Sequence, residues 1–160
     1  METLYSAGLV IIYDNKILLG HTTGRKWYGS YSIPKGMIES GESAIDAAIR
    51  ETKEELGISI SKNLIDKHEH TFALTSRKGK YNKVVSYFIV KIKSLSHLGL
   101  IDLKVPKTQL QVKEIDWAGF LDYAEAKKRI MPSQLSVLNN LVSSGLLESN
   151  VLKFNEFKNT

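Results

Sequence analysis

Between Gly36 and Ile58 the chain reads GMIESGESAIDAAIRETKEELGI, a stretch that sets carboxylates at helical spacing between glycine turns. Glu51, Glu54 and Glu55 stand three and four positions apart, so they share one helix face and repel one another there. At about 100° per residue, Ile45, Ile49, Thr52 and Leu56 fall together on another face, which leaves one side to bury and an acidic side to expose. Ser43 followed by Asp46 has the spacing of an N-terminal cap, Ala44, Ala47 and Ala48 favour helix, and Gly57 fits a left-handed stop after Leu56. Clustered carboxylates without Cys or His suit a hard cation such as magnesium, which shares its shell with substrate phosphates. The competing reading is a solvated face whose glutamates pair with Arg50 and Lys53.

The remaining composition limits what surrounds this helix. A chain of 160 residues with 42% hydrophobic content supports one substantial core, so a single domain spanning 1–160 is expected. The absence of cysteine excludes disulfides, thiolate catalysis and Cys-ligated metal, and is compatible with a reducing cytoplasm. The longest apolar runs, Gly8 to Tyr13 and Tyr87 to Val90, are too short to cross a bilayer, and Met1-Glu2-Thr3 does not begin a signal peptide. A cytoplasmic protein without a membrane partner is therefore expected. The 22 basic residues exceed the 17 acidic ones, giving a net charge of +5, which favours a phosphorylated substrate without establishing nucleic-acid binding.

Along the chain, Leu4 to Tyr13 and Lys16 to His21 read as a hairpin about Asp14-Asn15. His21 to Ser30 is a polar, glycine-bearing loop in which Trp27 and Tyr28 either stack on a base or close the edge of the core. Tyr31 to Ile33 is a short strand stopped by Pro34. A mixed connection, Ile58 to Asp66, leads to a strand over Lys67 to Thr75 with His68 and His70 on one side, read as an exposed or hydrogen-bonded pair in preference to a metal site. Ser76 to Lys83 is a basic turn; if it overhangs the acidic helix, Arg77, Lys78 and Lys80 hold phosphates. Val84 to Lys93 returns as a strand, and Ser94 to Lys107 reads as an insertion or a short edge strand. Gln109 to Trp117 alternates like a strand and makes Glu114 and Asp116 candidates for an extra carboxylate. Leu121 to Ile130 is helical, Pro132 breaks it, Ser133 to Ser143 forms a last helix, and the tail over 149–160 docks loosely or frays.

The central stretch closely resembles the signature box of the Nudix hydrolases. The places of that box are filled by Gly36, Glu42, Arg50-Glu51, Thr52, Glu54-Glu55, Gly57 and Ile58, with Thr52 the single departure, since an aliphatic residue is usual there. The resemblance implies an α/β fold, the Nudix α/β/α sandwich with a mixed β-sheet between helices. It also implies cleavage of the pyrophosphate linkage in a nucleoside diphosphate linked to some group X, by a metal-activated water. Glu51, Glu54, Glu55 and the Lys35 backbone carbonyl would then ligand Mg²⁺ or Mn²⁺. Arg50 would orient a glutamate, and Glu42 would brace the loop and approach a second metal. The proton acceptor is left open among Glu54, Glu55 and Glu114.

Trp27 with Ser32-Ile33-Pro34-Lys35-Gly36 resembles the lead-in of diadenosine and diphosphoinositol polyphosphate hydrolases, although the gap after Trp27 is longer here. Dinucleoside polyphosphates are the favoured substrate, with Trp27, Tyr28, Lys35, Arg77, Lys78 and Lys80 as binding candidates. The alternatives by resemblance are RNA 5′-pyrophosphohydrolases, acting on a capped or triphosphorylated RNA end, and nucleoside triphosphate pyrophosphohydrolases, which the Met131 to Leu141 segment resembles. Gln111 stands where some of the RNA-processing relatives carry a glutamate before the Trp117 position. The other functional class is a catalytically weak nucleotide-binding module. Either a monomer or a homodimer is compatible with the sequence.

Overall fold

The computed structural model describes residues 2–75 and 80–149. The chain opens with β1 (Glu2–Tyr13) and β2 (Lys16–Thr22), an antiparallel hairpin closed by Asp14 and Asn15, whose φ values of 48° and 58° supply the left-handed turn that matches strand twist. Two short strands follow, β3 (Tyr31–Ser32) on β2 and β4 (Lys35–Met37) on β1. After α1 (Ala44–Leu56) come β5 (Ile65–Thr75) and β6 (Tyr81–Ile92), and β6 lies parallel to β1 along its whole length. β7 (Ile115–Leu121) pairs with β2, and α2 (Tyr123–Arg129) and α3 (Leu135–Ser143) end the described chain. The sheet is mixed, in the order β3-β2-β1-β6-β5, with β7 on β2 and β4 on β1.

The sheet is covered on both sides, which explains the nearly unbroken apolar run of β1. Ala7, Leu9, Ile11, Phe88 and Val90 pack in the layer that contains Ala47, Ala48 and Leu56 of α1. The alternate residues Val10, Ile12, Val85, Tyr87 and Ile89 pack with Ala126, Val137, Leu138 and Leu141 of α2 and α3. This is the α/β/α sandwich that the resemblance implied. Among the described residues no helix is long and apolar enough to cross a membrane.

Four expectations shift. The buried face of α1 is centred on Ala47, Ala48, Thr52 and Leu56, with Ile45 and Ile49 only partly buried, because the small alanines bring the helix against the sheet. The strand expected over Gln109 to Trp117 begins only at Ile115. Its partner β2 ends at Thr22, opposite Ile115, so residues 109–114 have no strand to pair with and turn instead, the amides of Glu114 and Ile115 both donating to Gln111 O at 2.8 Å. The Ser94 to Lys107 segment makes one isolated bridge, Lys104 to Gly119, while burying Leu98, Leu100 and Val105 against the α1 layer. The helix expected over Leu121 to Ile130 is confined to α2, capped by Asp122, which accepts from Glu125 N at 2.9 Å. At the far end, Asn15 exchanges two hydrogen bonds with the Glu148 backbone, at 2.8 and 3.2 Å, so the chain is tied down just before the expected 149–160 tail, of which 150–160 lie outside the described residues.

Candidate active site

The acidic stretch is fixed by local chemistry. Ser43 Oγ accepts from Asp46 N at 3.1 Å to start α1, and Gly57, at φ 67°, ends it with its amide on Lys53 O. Thr52, fully buried, satisfies its hydroxyl on Ala48 O at 2.8 Å, so the one departure from the box is accommodated inside the helix. Gly36 permits the closest approach in the region, because a Cβ there would overlap the Glu51 carboxylate. At that glycine the β4 backbone and the α1 face come into direct contact.

Arg50 is the centre of the arrangement. Its guanidinium grips Glu42 with two bonds, Nε to Oε2 at 2.8 Å and Nη2 to Oε1 at 3.0 Å. Nη1 donates to Glu51 at 2.9 Å and to Glu54 at 3.3 Å, and Nη2 also reaches Met37 O at 2.9 Å. Glu42 Oε1 accepts in addition from Glu39 N at 3.1 Å, which closes the loop before the helix. Planar, multidentate pairing of this kind requires arginine. It holds the Glu42 carboxyl below its usual range, while burial outweighs Arg50 at Glu51 and raises it.

Glu55 points elsewhere. It lines a cavity of about 430 Å³ with Lys35 and Glu114, together with Thr22, Thr23, Arg25, Ser32, Lys113, Ile115 and Met131. Burial, then the Glu51 charge, pushes the Glu55 carboxyl up to about 8 despite Lys35, and Glu114 adds to the rise. Burial, then the charge of Lys83, lowers Lys35. The turn that replaced the expected strand is what delivers Glu114. Thr23 N donates to Glu114 O at 2.9 Å and Thr23 Oγ1 to Val112 O at 2.8 Å, stitching the 22–30 loop to the 111–114 turn.

Among the described residues no three His, Cys, Asp or Glu side chains converge as a ready metal site, because Arg50 holds Glu51 and Glu54 while Glu55 faces the cavity. The donor set nevertheless fits a hard divalent cation in type and in charge. Every side-chain donor is a carboxylate oxygen, and Glu51 and Glu55 are both raised, by burial first and by neighbouring carboxylates after it.

Of the other sequence candidates, Trp27 closes the core edge and keeps 46% of its surface exposed. Its ring lies 5.1 Å from Tyr31, 5.6 Å from His21 and 6.4 Å from Trp117, with the Arg129 guanidinium 4.7 Å over it. Tyr28 is exposed and outside that cluster. Arg77 and Lys78 lie outside the described residues, and Lys80 is exposed beside them. His68 and His70 stack edge to face at 4.8 Å without a third ligand among the described residues. Asp116 turns to His21, Oδ1 to Nδ1 at 2.5 Å, while His21 Nε2 reaches Lys26 O at 3.2 Å, so this pair holds the loop. The sequence reading passed over Arg25, Lys113 and His21. Gly24 signals only a loop and Lys113 falls in a segment that alternates like a strand, and nothing in their spacing shows that the two meet.

Comparison with known proteins gives the chain a family and a fold. A family model described as NUDIX domain matches residues 3–141. The chain is 41% identical over 49 residues to an ADP-ribose pyrophosphatase of Methanocaldococcus jannaschii, a match covering 31% of this chain and 29% of that protein. It therefore spans less than a third of that relative. Among solved structures, a C. elegans Ap4A hydrolase binary complex superposes with a TM-score of 0.62 at 26% identity, covering 88% of this chain and 96% of that one. A MutT NUDIX hydrolase from Burkholderia pseudomallei gives 0.66 at 16% identity over 87% and 98%, a likeness of fold.

Proposed function

The chain belongs to the NUDIX family, and from that premise we propose that it hydrolyses the pyrophosphate linkage of nucleoside diphosphates joined to a second group, with dinucleoside polyphosphates as the preferred class. The observation that carries this reading is the shared cavity, in which Glu55 and Glu114 face Lys35, Arg25 and Lys113 beside the Arg50-held glutamates. A floor of that kind accepts phosphate oxygens on its cations and leaves carboxylates free for water and metal.

Glu51, Glu54 and Glu55 would hold Mg²⁺ or Mn²⁺, with the Lys35 backbone carbonyl beside them. Divalent cations supply charge neutralisation of the phosphate oxygens and acidify water near neutral pH. The protein's own part is positional. Arg50 fixes the orientation of Glu51 and Glu54, and Glu42 fixes Arg50. Water oxygen bonds to one phosphorus as the bridging P–O bond breaks, the departing phosphate carries away the electron pair, and the water proton passes to a carboxylate. Glu114, in the cavity and outside the Arg50 network, is assigned that proton, with Glu55 adjacent. Trp27, half open at the core edge, is assigned to the base of the substrate.

The test is phosphate release with magnesium across diadenosine tetraphosphate, ADP-ribose, deoxynucleoside triphosphates, diphosphoinositol phosphates and triphosphorylated RNA. Turnover highest on diadenosine tetraphosphate is expected; none on any member would sink the enzyme reading. The partial match to an ADP-ribose pyrophosphatase favours a second reading, a nucleoside diphosphate sugar, which highest turnover on ADP-ribose would establish.

A further inference from the structure

We propose that Arg25 and Lys113 form a subsite for phosphates beyond the pair being cleaved, so that the site selects chains of three or more phosphates over a simple diphosphate. This rests on the cavity's role as the hydrolytic site. Both residues line it, from loops that are far apart in sequence and are joined through Thr23. Both are exposed, and among the described residues neither the Arg25 guanidinium nor the Lys113 ammonium has an ion-pair or hydrogen-bond partner. Glu55 and Glu114 share the cavity with them, yet no ion pair forms across it.

The charge count sets the selectivity. Lys35 sits within reach of the Glu51 and Glu55 charges and serves the linkage under attack. Two more cations, left unpaired in the same cavity, have nothing to neutralise on a diphosphate joined to sugars, whose two phosphates Lys35, its neighbour Lys83 and a bound cation would meet. A third and fourth phosphate would meet them. The guanidinium offers a two-pronged match to phosphate oxygens and the ammonium a movable point charge. Charge-assisted hydrogen bonds of this kind change affinity by about tenfold or more for each cation.

Two measurements test it, and only one needs catalysis. In calorimetry with magnesium chloride present, the wild-type chain should bind inorganic tripolyphosphate at least about tenfold more tightly than pyrophosphate, and the Arg25→Ala/Lys113→Ala variant should lose that preference. In turnover, the same variant should cut the ratio of kcat/KM for diadenosine tetraphosphate to that for ADP-ribose by at least about tenfold, with Arg25→Lys and Lys113→Arg recovering part of it. Lys91→Ala/Lys93→Ala removes the same two charges outside the cavity and should leave both ratios in place. The subsite is overturned if wild type shows no tripolyphosphate preference, if the Arg25/Lys113 variant keeps it, or if the Lys91/Lys93 variant loses it equally. Selective tripolyphosphate binding without turnover on any nucleotide would sink the proposed activity and leave the subsite standing.

Discussion

Arg50 and Arg25 lie at the same end of the molecule and handle charge in opposite ways. Arg50 is enclosed by Glu42, Glu51 and Glu54 and spends all its donors inside the protein. Arg25, like Lys113, reaches the cavity with no partner of its own among the described residues. Pairing a cation within the fold fixes neighbouring side chains in place, whereas leaving one unpaired keeps its electrostatic free energy for a ligand. The first kind of residue should be costly to stability and to catalysis together; the second should be nearly silent in the folded chain alone.

The comparison can be broken most directly at the carboxylates that Arg50 holds. Glu54→Gln, isosteric and neutral, should lower turnover by about 10³-fold with a melting curve close to wild type, as followed by phosphate release and calorimetric unfolding. Wild-type rates in that variant would remove Glu54 from the metal set. Next in size is Gly36→Ala, whose methyl overlaps the Glu51 carboxylate and must displace it; a loss of about 10²-fold in kcat is expected from the shifted carboxylate. An unchanged kcat would show that the β4–α1 spacing is slack.

A neutral buried group on the opposite layer gives a calibration. Burial pushes the Tyr87 hydroxyl up to about 12, with Gln134 Nε2 3.0 Å away, so the folded state favours its protonated form. That stability is full below pH 10 and is lost as pH rises through about 12, a difference of about 2–3 kcal/mol that Tyr87→Phe should abolish. Urea midpoints between pH 9 and 12 would show it, falling less steeply in the variant than in wild type, with the buried Tyr31 adding its own smaller share in both. Smaller again is Arg50→Lys, which keeps the charge and loses the two-pronged grip on Glu42. Unfolding free energy should drop by about 1–2 kcal/mol and kcat by about tenfold. Last comes Arg25→Ala, expected to alter unfolding free energy by no more than about 0.5 kcal/mol. A drop as large as that of Arg50→Lys would show that Arg25 is structural after all, and the contrast between the two arginines would collapse.

What could be read in advance follows the range of the interactions. The α1 helix was legible with its cap at Ser43 and its stop at Gly57, because each of those bonds closes within a few residues. The first hairpin was legible for the same reason, from Asp14-Asn15 and the apolar runs on either side. The box also announced its carboxylates and their pairing with Arg50, though not that Glu55 would turn away into a cavity. Residues 109–114 alternate as a strand would, yet whether they pair depends on where β2 ends, a fact about a distant part of the chain. Arg25 and Lys113 were invisible because a single cation in a polar loop and another in an apparent strand carry no mark until Thr23 brings the two segments together. Trp27 was suspected as a base platform or an edge closure. It does close the edge, and its base-binding role is part of the proposed function.

The contact between Gly36 and Glu51 also has a consequence for how such a chain drifts over generations. Any side chain larger than hydrogen at 36 overlaps the carboxylate at 51 as it stands, so a change at one position is felt at the other although they lie on different elements. A substitution at residue 36 makes the Glu51 carboxylate, the far end of a flexible side chain, swing aside, and the Arg50 hydrogen bond that Glu51 makes goes with it. Residue 36 can therefore change while residue 51 stays glutamate, and what is lost first is the placement of that carboxylate and not the fold.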